Sequence, residues 1–319
     1  MNVVFMGSPE FAEPIVRVIA AEYPLAGIVT QPDRPAGRGR KLRPPAVKLL
    51  AQALGLAYIQ PRRLAEPAAM AQIRSWAPDL IVVAAFGQIL RRDVLELPKF
   101  GCLNIHASLL PRWRGASPVQ AAIAHGDLET GVTVMRMDAG LDTGPIIAQR
   151  STSIGPTETG GQLAERLSHL GAELLIESLP EYVAGRLVPV PQNEISATHA
   201  RILRKDDGEL DFSRPAPELA NLVRAYDPWP ATFFAWRGRR VAIFQAHAEA
   251  EGDGAPGLVV KHGALPAVVA SSGLLVLDRV QPAGKAMMKG DDFVRGAQGF
   301  IGSTLESPRR IASDSKRKP

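Results

Sequence analysis

The sequence holds a single cysteine, Cys102, so no internal disulfide can form, and that usage fits a reducing compartment. No apolar run approaches the roughly 20 residues needed to span a bilayer. The longest, around Leu80–Ala85, has the length of a buried strand. Met1 leads directly into Asn2-Val3-Val4-Phe5-Met6 without a basic leader, so no secretory signal is expected. These absences point to a cytoplasmic protein with no membrane partner. The six histidines are scattered and no His/Cys pair has zinc-site spacing, so no metal is expected either. Gly7-Ser8-Pro9-Glu10-Phe11 follows the first apolar run but lacks the glycines of G-x-G-x-x-G, which argues against a dinucleotide cofactor. A G-x-x-x-x-G-K-[ST] phosphate loop and internal repeats are missing as well.

The chain is 319 residues long, 46% hydrophobic and 22% charged, enough to bury one large core or two ordinary ones. Its first half alternates strand and helix signals. Strands are expected at Asn2–Met6, Leu25–Thr30, Asp79–Ala85, Cys102–His106 and Val132–Met137. Helices are expected at Pro9–Ala21, Ala46–Leu54, Pro118–Ala124 and Thr159–Leu179, with a Pro/Gly/Arg loop from Gln31 to Pro45. This β-α-β alternation predicts a doubly wound, mostly parallel sheet of the Rossmann-like α/β class over residues 1–188. An irregular linker, 189–205, follows. Residues 206–301 then hold one helix (Ala216–Ala225) and short strand-like runs between Gly and Pro, which predicts a small β-barrel or sandwich. The polar tail 302–319 has no apolar period and is expected to be disordered. Nothing demands more than a monomer.

The net charge of +5 is a mild excess, and its distribution says more than its size. Arg34, Arg38, Arg40, Lys41, Arg43 and Lys48 fall within one short stretch that has no acidic residue. By itself such a run is equally a solvated loop.

The chemistry concentrates in Gly101–Gln120. Asn104 and His106 lie two apart on a strand, so they share one face, near the carboxyl end where open α/β sheets bind ligands. Downstream, a Gly-rich turn after another strand can bring Asp142 to the same edge. An amide, an imidazole and a carboxylate suit acyl transfer to an amine. His106 can move a proton or stabilise an oxyanion, Asn104 can donate to that oxyanion, and Asp142 can orient His106. No Ser or Cys nucleophile is needed when the acceptor brings its own amine. The same three residue types also occur as plain hydrogen-bonding groups, and spacing alone leaves both readings open.

Asn104-x-His106 followed by Ser108-Leu109-Leu110-Pro111-Arg112-Trp113-Arg114-Gly115, with Leu141-Asp142-Thr143-Gly144, resembles the signature of the 10-formyltetrahydrofolate-dependent formyltransferases. Gly7–Ala12, Gln31–Gly39, Tyr226-Asp227-Pro228-Trp229-Pro230 and Gln281–Lys285 resemble the branch of that family that acts on methionyl-tRNA, and the likeness runs in order over about residues 1–300. The resemblance implies a Rossmann-like catalytic domain and an OB-like carboxyl domain that positions tRNA. It implies 10-formyltetrahydrofolate as the formyl donor, initiator methionyl-tRNA as the acceptor, and Asn104, His106 and Asp142 as the catalytic set. By the same resemblance Ser108, Leu109, Leu110 and Pro111 line the folate site, and Phe86, Gly87, Gln88 and Leu90 border the pterin; Phe86 stands where many relatives have Tyr. It also makes the basic loop an RNA contact through Arg34, Arg38, Arg40, Lys41 and Arg43, with Arg201, Arg204 and Lys205 as further phosphate contacts. The nearest alternative is a sister enzyme that formylates a UDP-amino sugar with the same three residues. A purine-precursor formyltransferase would be a shorter single domain, and a hydrolase module would carry an appended domain. An RNA-binding module would not need the acid–base set.

Overall fold

The computed structural model describes residues 1–36 and 41–306. Backbone contacts divide the chain into two units. One comprises Met1–Val119, Leu128–Ile154 and Gln162–Arg201; the other comprises Gln120–Asp127, Gly155–Gly161 and the chain from Ile202 onward.

The first unit starts with β1 (Val3–Gly7), a short 3-10 turn (Glu10–Ala12), helix α1 (Glu13–Glu22) and β2 (Leu25–Val29). Two three-residue strands follow, β3 (Arg34–Ala36) and β4 (Lys41–Arg43). They pair antiparallel, with Arg34 opposite Arg43 and Ala36 opposite Lys41. The expected loop is thus a ribbon at its base, which Pro35 and the lack of apolar alternation conceal in the sequence. Arg38 and Arg40 lie outside the described residues.

Next come α2 (Ala46–Ala53), β5 (Tyr58–Ile59), α3 (Pro67–Ser75), β6 (Leu80–Ala84), α4 (Arg92–Leu95) and β7 (Cys102–His106). After β8 (Arg114–Gly115) and α5 (Pro118–Ala124) run the long strands β9 (Glu129–Arg136) and β10 (Ile146–Ser153). Helix α6 (Gly160–Val183) and the short β11 (His199–Ala200) complete the set. The sheet order is β10-β9-β7-β6-β1-β2-β5. From β5 to β7 every neighbour is parallel, while β9 and β10 are antiparallel additions at one edge. The parallel strands β1, β6 and β7 are buried along their whole length, as strands covered on both faces must be. Their side chains form a core with Met70 and Ile73 of α3 and Val94 of α4. Gly171 lets α6 lie close to β7, since a Cβ there would stand 2.7 Å from the Ile105 side chain.

In the second unit, α7 (Ala216–Ala225) precedes the strands β12 (Thr232–Trp236), β13 (Arg239–Glu249), β14 (Val259–His262), β15 (Leu265–Val269), β16 (Leu274–Pro282) and β17 (Met288–Lys289), then α8 (Gly290–Gly296). All pair antiparallel in the order β12-β13-β16-β15-β14, with β17 also on β16. No strand pairing among the described residues closes β14 onto β12. Phe234, Trp236, Phe293 and Phe300 stack edge and face with centroids 5.0 to 6.2 Å apart. Residues 302–305, part of the stretch expected to be disordered, are hydrogen-bonded to Gly257 and Val259, whereas 307–319 lie outside the described residues.

Candidate active site

Strand β7 delivers Asn104 and His106 to the carboxyl edge of the sheet from its core-facing ladder. His106 is 6% and Asn104 9% exposed, so each must find partners inside the protein. His106 Nε2 lies 2.9 Å from the Trp113 carbonyl oxygen. A carbonyl only accepts, so Nε2 carries the hydrogen, and Nδ1 is the nitrogen left for chemistry. Nδ1 faces Asp142 Oδ2 at 3.7 Å. Asn104 Nδ2 donates to Asp142 Oδ1 at 3.3 Å. An amide nitrogen has two hydrogens, so one remains for a ligand oxygen.

Asp142 comes from the turn between β9 and β10 and takes a left-handed backbone, φ 54°. Its Oδ2 accepts from the Gly115 N–H at 2.8 Å. Gly115 has φ 115°, and a Cβ there would lie 2.4 Å from the Ala200 carbonyl oxygen, so only glycine fits between β11 and the carboxylate. The three residues that spacing places on one edge are therefore within contact of one another, around a single Nδ1 lone pair, a spare amide hydrogen and a carboxylate.

Ser108–Pro111 runs beside this trio and is held from behind. Thr133 Oγ1 donates to Ser108 O at 2.7 Å and accepts from Leu110 N–H at 3.1 Å, and Gln149 Nε2 donates to Leu110 O at 2.8 Å. Ser108 is fully buried with its hydroxyl on Arg112 O, while Leu109 is half-buried. Thr133 and Gln149 sit on β9 and β10, and nothing in their spacing marks them.

Because Val83 of β6 pairs with Asn104, the chain that leaves β6 emerges next to His106. Here Phe86 and Leu90 turn their side chains into the core, so the loop presents backbone to a ligand rather than the Phe86 ring. The Phe86 carbonyl accepts from Gln31 Nε2 at 3.1 Å, and Gln88 is spent on Leu64 N–H and Pro61 O. Sequence reasoning passed over Ile89, which is 84% exposed, and Leu141, 65% exposed beside Asp142. Only their apolar character could have flagged them, and that is not distinctive.

A cleft of about 390 Å³ opens at the ends of β1, β2 and β6. Ser8, Gln31 and Ala85–Gly87 form its floor, and Arg34 and Arg43 stand on its rim. Arg34 is exposed and reaches Gln31 Oε1 at 3.0 Å. Lys48 is tied instead to Asp33, 2.7 Å away, and hydrogen bonds from Gln60 and then Lys48 lower the Asp33 carboxyl from its ordinary range. Arg201, Arg204 and Lys205 are exposed where the chain passes from the first unit to the second. Among the described residues no group of three or more His, Cys, Asp or Glu can hold a metal ion, and no helix is long and apolar enough to cross a membrane.

The formyl transferase family model matches residues 1–179, and that family's C-terminal domain matches residues 202–298. This chain belongs to the formyl transferase family. The methionyl-tRNA formyltransferase of Myxococcus xanthus is 48% identical over 299 residues, which cover 92% of this formyl transferase and 95% of that protein. That of Roseiflexus sp. is 46% identical over 300 residues, 93% and 92% of the two chains. Among solved structures, a sugar 3N-formyl transferase superposes with TM-score 0.65 at 19% identity, over 90% of this formyl transferase and 99% of that chain. The methionyl-tRNA formyltransferase from Clostridium thermocellum superposes with TM-score 0.54 at 16% identity, over 79% and 95%. At such identities the superpositions establish the fold alone.

Proposed function

We propose that this formyl transferase moves the formyl group of 10-formyltetrahydrofolate to the α-amino group of methionine on initiator methionyl-tRNA, in the cytoplasm. The observation that carries the acceptor is the 48% identity to a methionyl-tRNA formyltransferase along almost the whole of both chains.

Asn104, His106 and Asp142 are the proposed catalytic set. The incoming amine attacks the formyl carbon, and negative charge gathers on the formyl oxygen. Asn104, whose Nδ2 gives one hydrogen to Asp142, donates the other to that oxygen. The amine must lose a proton, and His106 Nδ1 is placed to take it, since Nε2 is committed to Trp113 O. The imidazolium that results faces the Asp142 carboxylate. The proton then passes to the nitrogen of the departing tetrahydrofolate, and the site returns to its starting charge.

The folate is proposed to lie along Ser108–Pro111 and the 86–90 loop, with Ile89 and Leu141 as apolar neighbours. The acceptor end of the tRNA is proposed to approach over the Arg34/Arg43 rim. Like charges paired directly across a ribbon destabilise it, and a phosphate between them reverses the sign. Lys41 of the same ribbon, Arg38, Arg40, and Arg201, Arg204 and Lys205 extend the same proposal. An OB-like role for the second unit rests on its antiparallel sheet.

The test mixes purified protein and 10-formyltetrahydrofolate with methionyl-initiator-tRNA, free methionine or a UDP-amino sugar. Transfer to the charged tRNA alone is expected. Transfer to the sugar would overturn the acceptor assignment, and no transfer at all would overturn the activity.

A further inference from the structure

The segment after α6 carries a set of contacts that the catalytic proposal does not use. Residues 190–200 belong to the first unit and are bonded along the back of the catalytic loops. Val190 exchanges two backbone hydrogen bonds of 2.8 Å with Ile146. Thr198 accepts from Trp113 N–H through its hydroxyl, and β11 pairs with β8. At the centre is Gln192. Its Nε2 donates to the backbone carbonyl of Asp142 at 2.8 Å and to that of Gly144 at 2.7 Å. Its Oε1 accepts from Arg114 Nε and a terminal guanidinium nitrogen at 3.0 and 2.9 Å.

The orientation of this amide is not arbitrary. Turned over, it would set N–H against guanidinium N–H on one side and oxygen against two carbonyl oxygens on the other. Arg114 therefore fixes which way Gln192 points. Arg114 is itself fixed: its side chain is 3% exposed and bonds Glu194 through both carboxylate oxygens, at 2.7 and 2.8 Å. The residue after Arg114 is Gly115, whose N–H holds the Asp142 carboxylate. One buried guanidinium thus secures the backbone support of Asp142 through Gln192, and the residue that carries it directly precedes the Gly115 N–H that holds the side chain. A residue at φ 54° stays there only when its surroundings over-determine it, and these contacts supply the constraint.

Resting on the catalytic set proposed above, we propose that Gln192 is a positioning residue for Asp142, with Arg114 and Glu194 locking its amide. Gln192 touches no reacting atom. It sets where the carboxylate stands relative to His106 Nδ1, so the irregular stretch after α6 also completes the active site.

Two variants separate the contacts. Gln192→Glu keeps an acceptor for Arg114 but loses both donors to the 142–144 turn, and Gln192→Leu removes the whole link without adding charge. Each is expected to lower kcat about 10- to 100-fold, with KM for 10-formyltetrahydrofolate and for charged tRNA within about threefold of wild type. In an Asp142→Asn background the same substitutions are expected to change kcat less than about twofold, since the group they position is already disabled. An equal loss in both backgrounds, or a loss confined to KM for tRNA, would overturn the proposal. A second readout is independent of activity. Amide exchange at Gly115, whose N–H is bonded to Asp142, should speed up at least about tenfold in both variants. Exchange at Ala116, whose N–H is bonded to Ala200 O at 2.9 Å, should not change. Parallel acceleration at both amides, or none at Gly115, would refute the positioning role. An inactive wild-type chain would refute the formylation reading instead, and the exchange measurement would still decide this one.

Discussion

Replacing Asp142 by Asn changes one heavy atom and removes one charge, so its effect can be worked from the site. The carboxylate oxygen stands 3.7 Å from His106 Nδ1, with the two side chains 13% and 6% exposed. Once Nδ1 has taken the proton of the attacking amine, the two groups carry opposite charges. At about 4 Å such a pair is worth about 1 kcal/mol in bulk water and about 4 kcal/mol at an effective dielectric of ~20. The burial here favours the second figure, trimmed by the part of the carboxylate that still meets solvent. About 3 kcal/mol of lost stabilisation corresponds to a rate loss of about 10²-fold. A second effect adds to it. Asp142 accepts from both Gly115 N–H and Asn104 Nδ2, whereas an Asn side chain can offer an oxygen to only one of them. The other contact becomes donor against donor unless Asn104 turns its amide over, which withdraws the hydrogen meant for the formyl oxygen. The expected loss in single-turnover formyl transfer, with enzyme and formyl donor in excess over methionyl-tRNA, is therefore between about 10² and 10³. Binding of both substrates should change little. A loss below about fivefold, or one expressed wholly in KM, would refute the assignment of Asp142 as the partner of the protonated imidazole.

Burial pushes the Cys102 thiol up to about 12, so at pH 8 only about one thiol in 10⁴ is ionised. Iodoacetamide at that pH should leave the folded protein unmodified and label it after denaturation; rapid labelling of the native chain would contradict the burial. Arg114 holds the Glu194 carboxyl below its ordinary range. A lowered folded value means the contact stabilises fully above the ordinary glutamate range, near 4.5, and is lost as pH falls through the lowered value. Thermal midpoints of wild type and Glu194→Gln between pH 3 and 7 should converge at the acid end, and a constant gap would sink the linkage. Arg43→Ala should reduce the slope of log affinity for charged tRNA against log salt by about 1 and leave folate binding unchanged; an unaltered slope would return the ribbon to an ordinary surface feature.

The first unit was legible where burial forces a pattern. Strand β7 stands where the apolar run puts it, because a strand covered on both faces has no freedom to be anything but apolar. The expectation of a mostly parallel sheet holds from β5 to β7 for the same reason. What the pattern concealed are the elements whose order comes from partners distant in sequence. Strand β10 alternates only weakly after Ile147 and exists because β9 pairs with it, and β3 and β4 are too short to show a period. In the second unit α7 was legible to the residue, but α8, a seven-residue helix led in by Gly290, has too few turns to show a period.

The site divides along the same line. Asn104, His106 and Asp142 can be picked out because an amide, an imidazole and a carboxylate carry recognisable chemistry, and two of them share a strand face. Gln192 could not be, since it lies 50 residues from Asp142 and acts on a backbone carbonyl, for which the identity of the partner residue leaves no trace. Its stretch, Pro189-Val190-Pro191-Gln192, reads as a linker because proline and isolated polar residues cannot build a helix or a strand interior. In the folded chain those prolines help keep an extended path along which Val190 and Gln192 reach residues 142–146, and Glu194 and Thr198 reach Arg114 and Trp113. An irregular segment and a rigid one are thus the same segment here. Irregularity describes its own backbone pattern, and rigidity comes from hydrogen bonds whose other ends are at residues 111 to 146. A substitution in this stretch should accordingly be judged by the loop it holds in place, and the variants at Gln192 put that criterion to the test.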